Sequence, residues 1–306
     1  MFLSIHPDDI YTVLACGIVK SINENVKIFF INHADHVPSY GATVADIWYQ
    51  ISLYGSEIDK KRNIKGMVTF LGIPINKSDE YFFKKINYPK ADENNIFLTA
   101  ASSNKYKPCS KESIFQLLIK IVNTYKNSTV FVIGPSLLKN HWWWTLFLRY
   151  HNEIKFHKSL PYEDYLNFTK RADFYIDSHP APGGTAFVEQ FLQGVPCIGL
   201  KTGFYGYTPL ELIKSNSIDE AIDMLNNPPS ELKIKKLQKY IFEVHGFSNV
   251  KLRFISSVYG GMKSFNPMVK YSDNIVTNKK TNLSLGFLSL SIKLIKFILM
   301  PLDRKK

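Results

Sequence analysis

Runs of apolar residues alternate with amphipathic stretches along this chain, and the alternation predicts strands and helices in turn. Three runs near the start, at 1–5, 27–32 and 67–73, have the aliphatic and aromatic composition of strands. Between them, 9–21 and 44–53 have apolar residues at a spacing closer to that of a helix. The first part of the chain is therefore predicted to alternate strand and helix.

The same alternation continues with clearer boundaries further along the chain. Strands are predicted at 95–101, 129–134, 154–160, 173–177 and 196–201, and helices at 111–125, at 162–172 and from Gly184 onward. Strands that alternate with helices in this way indicate a parallel, doubly wound α/β sheet. The charged stretch 77–95 has the composition of a linker or an exposed helix, so we predict two units, 1–92 and 93–268.

A basic tail over 269–306 completes the predicted organisation. Residues 283–300 are nearly all apolar, but Lys293 and Lys296 interrupt them and Pro301 ends the run. A membrane-spanning helix needs about 20 predominantly apolar residues. We therefore predict that 282–306 forms an amphipathic helix in the interface of an anionic membrane. Packing of this helix on the body of the protein is the alternative.

Composition and charge narrow the class of protein. The 306 residues are 45% hydrophobic and 14% aromatic, as expected of a packed globular protein. Three scattered cysteines and an N-terminus without an export signal indicate a reducing, cytoplasmic location. The net charge is +12, but 270–306 carries eight Lys/Arg against two Asp. Because half of the excess lies in the tail, nucleic acid is not an expected partner of the body.

Small residues follow the predicted strand at 173–177 and precede a helix. Gly183 and Gly184 allow the backbone to approach an oxyanion, and Thr185 adds a hydroxyl. The start of the helix offers unpaired N–H groups and the positive end of the helix dipole, which favour a phosphate or diphosphate. Glu189, on the second turn, is placed to accept hydrogen bonds from a ribose diol. A tight strand–helix turn with a solvated glutamate is the alternative reading.

Three segments resemble the GT-B glycosyltransferases. The stretch ADFYIDSHPAPGGTAFVEQFLQGVPCIGL resembles their donor-binding segment, with a layout similar to that in O-GlcNAc-transferase-like enzymes. IFLTAASSNKYKP resembles the first strand and loop of the same domain, and FFINHADH resembles a first-domain segment of bacterial members. The resemblance covers about 1–260. It implies an α/β fold of two Rossmann-like domains. The chain departs from that family because only about 90 residues precede IFLTAA, so the first domain is expected to be abbreviated.

The resemblance also implies a nucleotide-diphosphate sugar, with a UDP-sugar favoured, as the substrate, and no cofactor. Ser102 and Ser103 would face the diphosphate, Lys105 would neutralise its charge, and His157 would line the edge of the nucleobase. For Lys105 the alternative is a solvated loop lysine, and for His157 a histidine at the surface end of a strand. The tryptophans at 142–144 are expected to serve core and interface packing.

Catalysis by such an enzyme needs no bound metal ion, because helix N–H groups and a cation stabilise the leaving diphosphate. The chain accordingly lacks an Asp-x-Asp run. If transfer inverts the configuration, a base deprotonates the acceptor, and His33, Asp35 and His36 are the candidates, with His6 and Asp9 behind them. The alternative is that these residues cap a helix and bind loop amides.

The expected function is transfer of a sugar to a glycan or lipid-linked acceptor in bacterial surface polysaccharide synthesis, of lipopolysaccharide or capsule. The protein would be cytoplasmic and peripheral at the inner membrane. Two alternatives remain at this point. His-Pro-Asp-Asp at 6–9 resembles the start of zinc-dependent N-acetylglucosaminyl deacetylases, although Ile10 replaces their glutamate. The short first unit also fits a degenerate, non-catalytic nucleotide-sugar-binding subunit.

Overall fold

Two parallel sheets organise the computed structural model, which describes residues 1–75, 79, 84–88, 92, 94–108 and 112–275. The elements of the first part are β1 (Phe2–Leu3), α1 (Ile10–Ile22), β2 (Phe29–Ile31), β3 (Ile47–Gln50), α2 (Leu53–Asp59) and β4 (Met67–Phe70). Those of the second part are β5 (Ile96–Ala100), α3 (Ile114–Thr124), β6 (Thr129–Ile133), α4 (Trp144–Tyr150), β7 (Ile154–His157), α5 (Tyr162–Thr169), β8 (Phe174–Ile176), α6 (Thr185–Leu192), β9 (Cys197–Ile198), α7 (Ile218–Asn226), α8 (Glu231–His245), α9 (Phe247–Gly260) and α10 (Ser272–Ile275). The predicted tail, 282–306, lies outside the described residues.

The first sheet has the order β1-β2-β3-β4, and all of its pairings are parallel. Side chains alternate between its two faces along each strand. Phe30 and Trp48 stack at 4.7 Å in the cluster that includes Cys16 of α1. Phe29 and Tyr49 point to the opposite face. Both faces of this sheet are therefore covered.

The prediction of a helix over 44–53 is wrong. The segment contains β3, which lies between β2 and β4, and α2 begins only at Leu53 with Ser52 as its N-cap. A central parallel strand is covered on both faces, so its residues are apolar without alternation. Ile47, Trp48 and Tyr49 are all buried, and such a short run does not distinguish a strand from a buried helix.

The second sheet has the order β7-β6-β5-β8-β9, again parallel throughout. All five strands predicted for this part are present, and apolar clusters fill both faces. Trp143 is fully buried in one cluster, as predicted, whereas Trp144 is 48% exposed. The chain runs outward from β5 to β7 and then returns to the other side of β5. The strand order therefore reverses between β5 and β8, where such sheets bind ligands beyond the carboxyl ends of their strands.

Helix α9 returns the chain to the first sheet. Val250 and Phe254 of α9 pack on the face that carries Phe29 and Tyr49, and the Tyr49 hydroxyl lies 2.7 Å from Ser257 Oγ. Arg253 Nε donates to the Leu71 carbonyl at 2.8 Å. Residues at 247–260, within the range predicted as the second unit, thus cover the first sheet. Among the described residues, no helix is long and apolar enough to cross a membrane.

Candidate functional site

A buried carboxylate organises the loop between β8 and α6. Asp177 directly follows the strand and is only 2% exposed. Its Oδ1 accepts hydrogen bonds from Ser178 N at 2.9 Å and Gly183 N at 2.7 Å, so one oxygen joins the two ends of the loop. A Cβ at Gly183 would lie 2.5 Å from that oxygen, which explains the glycine. The loop is therefore held in one shape at the switch point of the sheet.

A buried lysine neutralises the charge of this carboxylate. Lys214 Nζ lies 2.5 Å from Asp177 Oδ2, and the two side chains are 2% and 1% exposed. The same ammonium group lies 5.1 Å from the centre of the Phe187 ring of α6. Lys214 follows the turn Pro209–Ile213, which Thr208 and Glu211 close with a capping box. Sequence reasoning missed Lys214; the Thr-x-x-Glu spacing signals the turn but not this contact.

Lys105 lies against the other side of the loop. It belongs to the 3₁₀ turn Ser103–Tyr106 that follows β5, and its Nζ donates to the Pro182 carbonyl at 3.0 Å. Burial lowers the pKa of Lys105, with Asp177 raising it and Lys214 lowering it further. The structure thus brings Lys105 to the loop, where its charge adds to that of Lys214.

The helix α6 begins where the sequence predicted. Gly184 is its N-cap with φ of 62°, and open space surrounds the position of its missing Cβ. Thr185 is the first helical residue. Glu189 lies on the second turn, half-buried, with Tyr162 Oη 3.5 Å from its Oε1, and burial raises the pKa of the carboxyl. Gly183, Gly184 and Thr185 therefore lie at the end of the loop and the start of α6, with Glu189 one turn further along the helix.

The remaining residues predicted for the second unit have different surroundings. Ser103 Oγ accepts a hydrogen bond from Ser136 N at 3.2 Å, so this hydroxyl supports the loop after β6. The Ser102 carbonyl accepts from Lys105 N and closes the 3₁₀ turn. His157 ends β7, two strands away from β5, and its ring packs against Phe168 at 5.1 Å. The two serines therefore lie in the turn after β5, next to the switch point, whereas His157 lies two strands away from it.

The loop after β2 faces the second half of the chain. Asp35 is 1% exposed and accepts hydrogen bonds from Ser52 Oγ and from the hydroxyl of Tyr207. Burial raises the pKa of Asp35, although both of these hydrogen bonds lower it. His33 is exposed, and His36 is half exposed with Nδ1 3.9 Å from Asp35 Oδ1. Asp35 is thus engaged in binding the two halves together, whereas both histidines have solvent-accessible rings.

The N-terminal residues named with the metallohydrolase alternative form a helix cap. Asp9 caps α1, accepting from Thr12 N at 3.0 Å and from Thr12 Oγ1 at 2.8 Å. His6 Nδ1 contacts the carboxylate of Asp8. Within the part of the chain that the structure describes, no three His, Cys, Asp or Glu side chains form a group that could hold a metal ion.

Compared by sequence, the chain matches no known protein family and none of the curated proteins. Its fold does match solved structures. HepE from Anabaena, solved with UDP and glucose, has a TM-score of 0.54 at 12% identity, with 82% of this chain and 76% of that chain covered. Sucrose-phosphate synthase from Thermosynechococcus elongatus has a TM-score of 0.54 at 11% identity, with 81% and 71% covered.

A third match is partial. The O-GlcNAc transferase of Thermobaculum terrenum has a TM-score of 0.50 at 14% identity, with 78% of this chain covered. The chain spans about half of that enzyme, 52% of its length. Identities of this size establish the fold and not the activity. Two parallel Rossmann-like sheets, a crevice at the switch point and these matches together show that the chain has the GT-B fold, as the sequence predicted.

Proposed function

We propose that the protein is a metal-independent glycosyltransferase that uses a nucleotide-diphosphate sugar, with a UDP-sugar favoured. The observation that carries the proposal is the loop after β8, which the buried Asp177 holds at the switch point beside two lysines, Lys105 and Lys214. A loop of this kind suits a diphosphate because the N–H groups at the start of α6 and the nearby cations favour negative charge. HepE, of the same fold, was solved with UDP.

The residues of the crevice fit the chemistry of the transfer. Charge that develops on the leaving diphosphate would be stabilised by the first N–H groups of α6 and by Lys105. Glu189 would accept hydrogen bonds from the ribose diol. If transfer inverts the configuration, His33 or His36 would deprotonate the acceptor, since both rings are accessible. Asp35 would then act as a positioning residue, because its carboxylate already binds Ser52 and Tyr207.

The proposed acceptor is a glycan or lipid-linked saccharide of bacterial surface polysaccharide synthesis. Support comes from the sequence of 282–306, where an apolar run with lysines and a basic end suits the anionic cytoplasmic face of the inner membrane. An enzyme located there would meet acceptors that are anchored in the bilayer.

Calorimetric titration with UDP, GDP and CMP tests the donor site. We expect UDP to bind, and we expect Glu189→Ala and Lys105→Ala each to weaken it at least tenfold. Lys155→Ala, at an exposed position on β7, is the matched control and should bind as the wild type does. Wild-type affinity in both crevice variants would remove these assignments. Binding of UDP-sugars without release of UDP in the presence of lipid-linked acceptors would instead favour a non-catalytic binding subunit.

A further inference from the structure

The outward surface of α9 and of the segment that follows it is apolar. Tyr259 is 86% exposed and Phe265 is 77% exposed. Leu252, Ile255 and Met262 also point to solvent. The opposite side of α9 is apolar as well, because it packs on the first sheet through Val250 and Phe254. Contiguous exposed apolar side chains of this kind mark an interaction surface, so the outward face of α9 calls for a covering partner.

The sequence around α9 is basic, and the outward face itself carries Lys251 and Lys263. From 231 to 272, the chain has eight Lys/Arg and only two acidic residues, both Glu. Each glutamate is already paired, Glu231 with Lys235 at 2.8 Å and Glu243 with Lys270 at 2.9 Å. Lys251 and Lys263 are exposed among the apolar side chains.

We propose that this face of α9, defined by Leu252, Ile255, Tyr259, Met262 and Phe265 with Lys251 and Lys263, docks on an anionic lipid bilayer. Apolar and aromatic side chains would enter the boundary between headgroups and acyl chains, while the lysines bind anionic headgroups. Lysines serve this role well because their stems lie along apolar surface and their ammonium groups reach the headgroups. This surface belongs to the body of the protein and is separate from 282–306 and from the donor crevice.

A second exposed apolar face, on α1, provides the contrast. Tyr11, Leu14, Ile18 and Ile22 point outward there, with Tyr11 84% exposed. Between 6 and 25, however, one lysine accompanies three acidic residues, and that lysine, Lys20, is bound to Asp46 at 2.8 Å. The α1 face therefore has the apolar character but lacks the positive charge, and it serves as a matched control.

Co-sedimentation of the full chain with vesicles tests the proposal. Vesicles of phosphatidylglycerol and phosphatidylethanolamine should bind the wild type, and vesicles of phosphatidylcholine should bind it at least tenfold more weakly. Leu252→Ser/Ile255→Ser should lower binding at least tenfold, and Lys251→Gln/Lys263→Gln should reduce its dependence on salt. Leu14→Ser/Ile18→Ser should bind as the wild type does. All of these positions are exposed, Ile255 to 40%, so thermal melting should stay near the wild-type temperature.

Three outcomes would overturn the proposal. The first is wild-type binding by the α9 double serine variant. The second is an equal loss in the α1 variant, since apolar surface of any kind would then suffice. The third is loss of binding only in Lys293→Glu/Lys296→Glu, which would assign the membrane contact to the tail alone. None of these measurements involves a nucleotide, so failure of the donor-site proposal would leave the result unaffected.

Discussion

Removal of the ammonium group of Lys214 should destabilise the protein by leaving a buried charge without its partner. Lys214→Met approximately preserves the volume of the side chain but removes the ammonium group that lies 2.5 Å from Asp177 Oδ2 and 5.1 Å from the centre of the Phe187 ring. Breaking a buried ion pair on one side costs about 3–5 kcal/mol. Ser178 N and Gly183 N still donate to Asp177, so we expect the lower end, about 3 kcal/mol.

Urea denaturation followed by tryptophan fluorescence measures this loss in the free energy of unfolding. The matched control is Lys235→Met, which breaks an ion pair of 2.8 Å whose side chains are 69% and 71% exposed, and it should leave the midpoint unchanged. Asp177→Asn/Lys214→Met removes both charges and should be more stable than Lys214→Met. If Lys214→Met and Lys235→Met have the same urea midpoint, burial does not increase the contribution of the Asp177–Lys214 pair to stability, and the reasoning is refuted.

Three further predictions concern neighbouring features. Gly183→Ala should cost about 1–3 kcal/mol by crowding the Asp177 carboxylate, and Gly184→Ala should cost a similar amount through backbone strain, because φ of 62° with ψ of −111° is a conformation that only glycine adopts readily; an unchanged urea midpoint in either variant would contradict this. Tyr207→Phe should cost about 1–3 kcal/mol by removing a donor to the buried Asp35, and an unchanged melting temperature would speak against it. Burial lowers the pKa of His245 from 6.5 to about 4. Between these pH values the unfolded chain binds a proton that the folded protein does not, so the free energy of unfolding should fall by about 3 kcal/mol as the pH drops from 6.5 to 4. An identical fall in His245→Gln would refute this.

All five strands of the second sheet were predictable from sequence, and in the first sheet β1, β2 and β4 were predictable but β3 was not. The strands of the second sheet are separated by helices or loops with polar faces, so each apolar run has clear limits. In the first sheet, β3 lies inside a longer apolar stretch, and the spacing of apolar residues alone does not distinguish a strand from a helix there. The cover that α9 provides for this sheet depends on contacts such as Tyr49 with Ser257, 208 residues apart, which no local pattern encodes.

In the loop between β8 and α6, too, local features were predictable and distant contacts were not. The start of α6 at Gly184 was predictable because a glycine pair between a strand and a helix is a local signal. Lys214 was missed because it reaches Asp177 only after the chain has formed β9 and the turn Pro209–Ile213. Asp35 is a candidate base by its position in the sequence, and that position does not disclose that Tyr207 and Ser52 bind its carboxylate.

These distant contacts form a series of interactions that links the loop after β8 to the loop after β2. Asp177 holds the loop between β8 and α6 and binds Lys214, which neighbours the buried Glu211. Glu211 in turn accepts hydrogen bonds from Gly206 N at 2.6 Å and Tyr207 N at 2.9 Å. The Tyr207 hydroxyl donates to Asp35, in the loop that carries His33 and His36. Because these groups are polar and largely buried, loss of any one leaves a partner unpaired, and the loop after β8 and the loop after β2 are therefore linked through them.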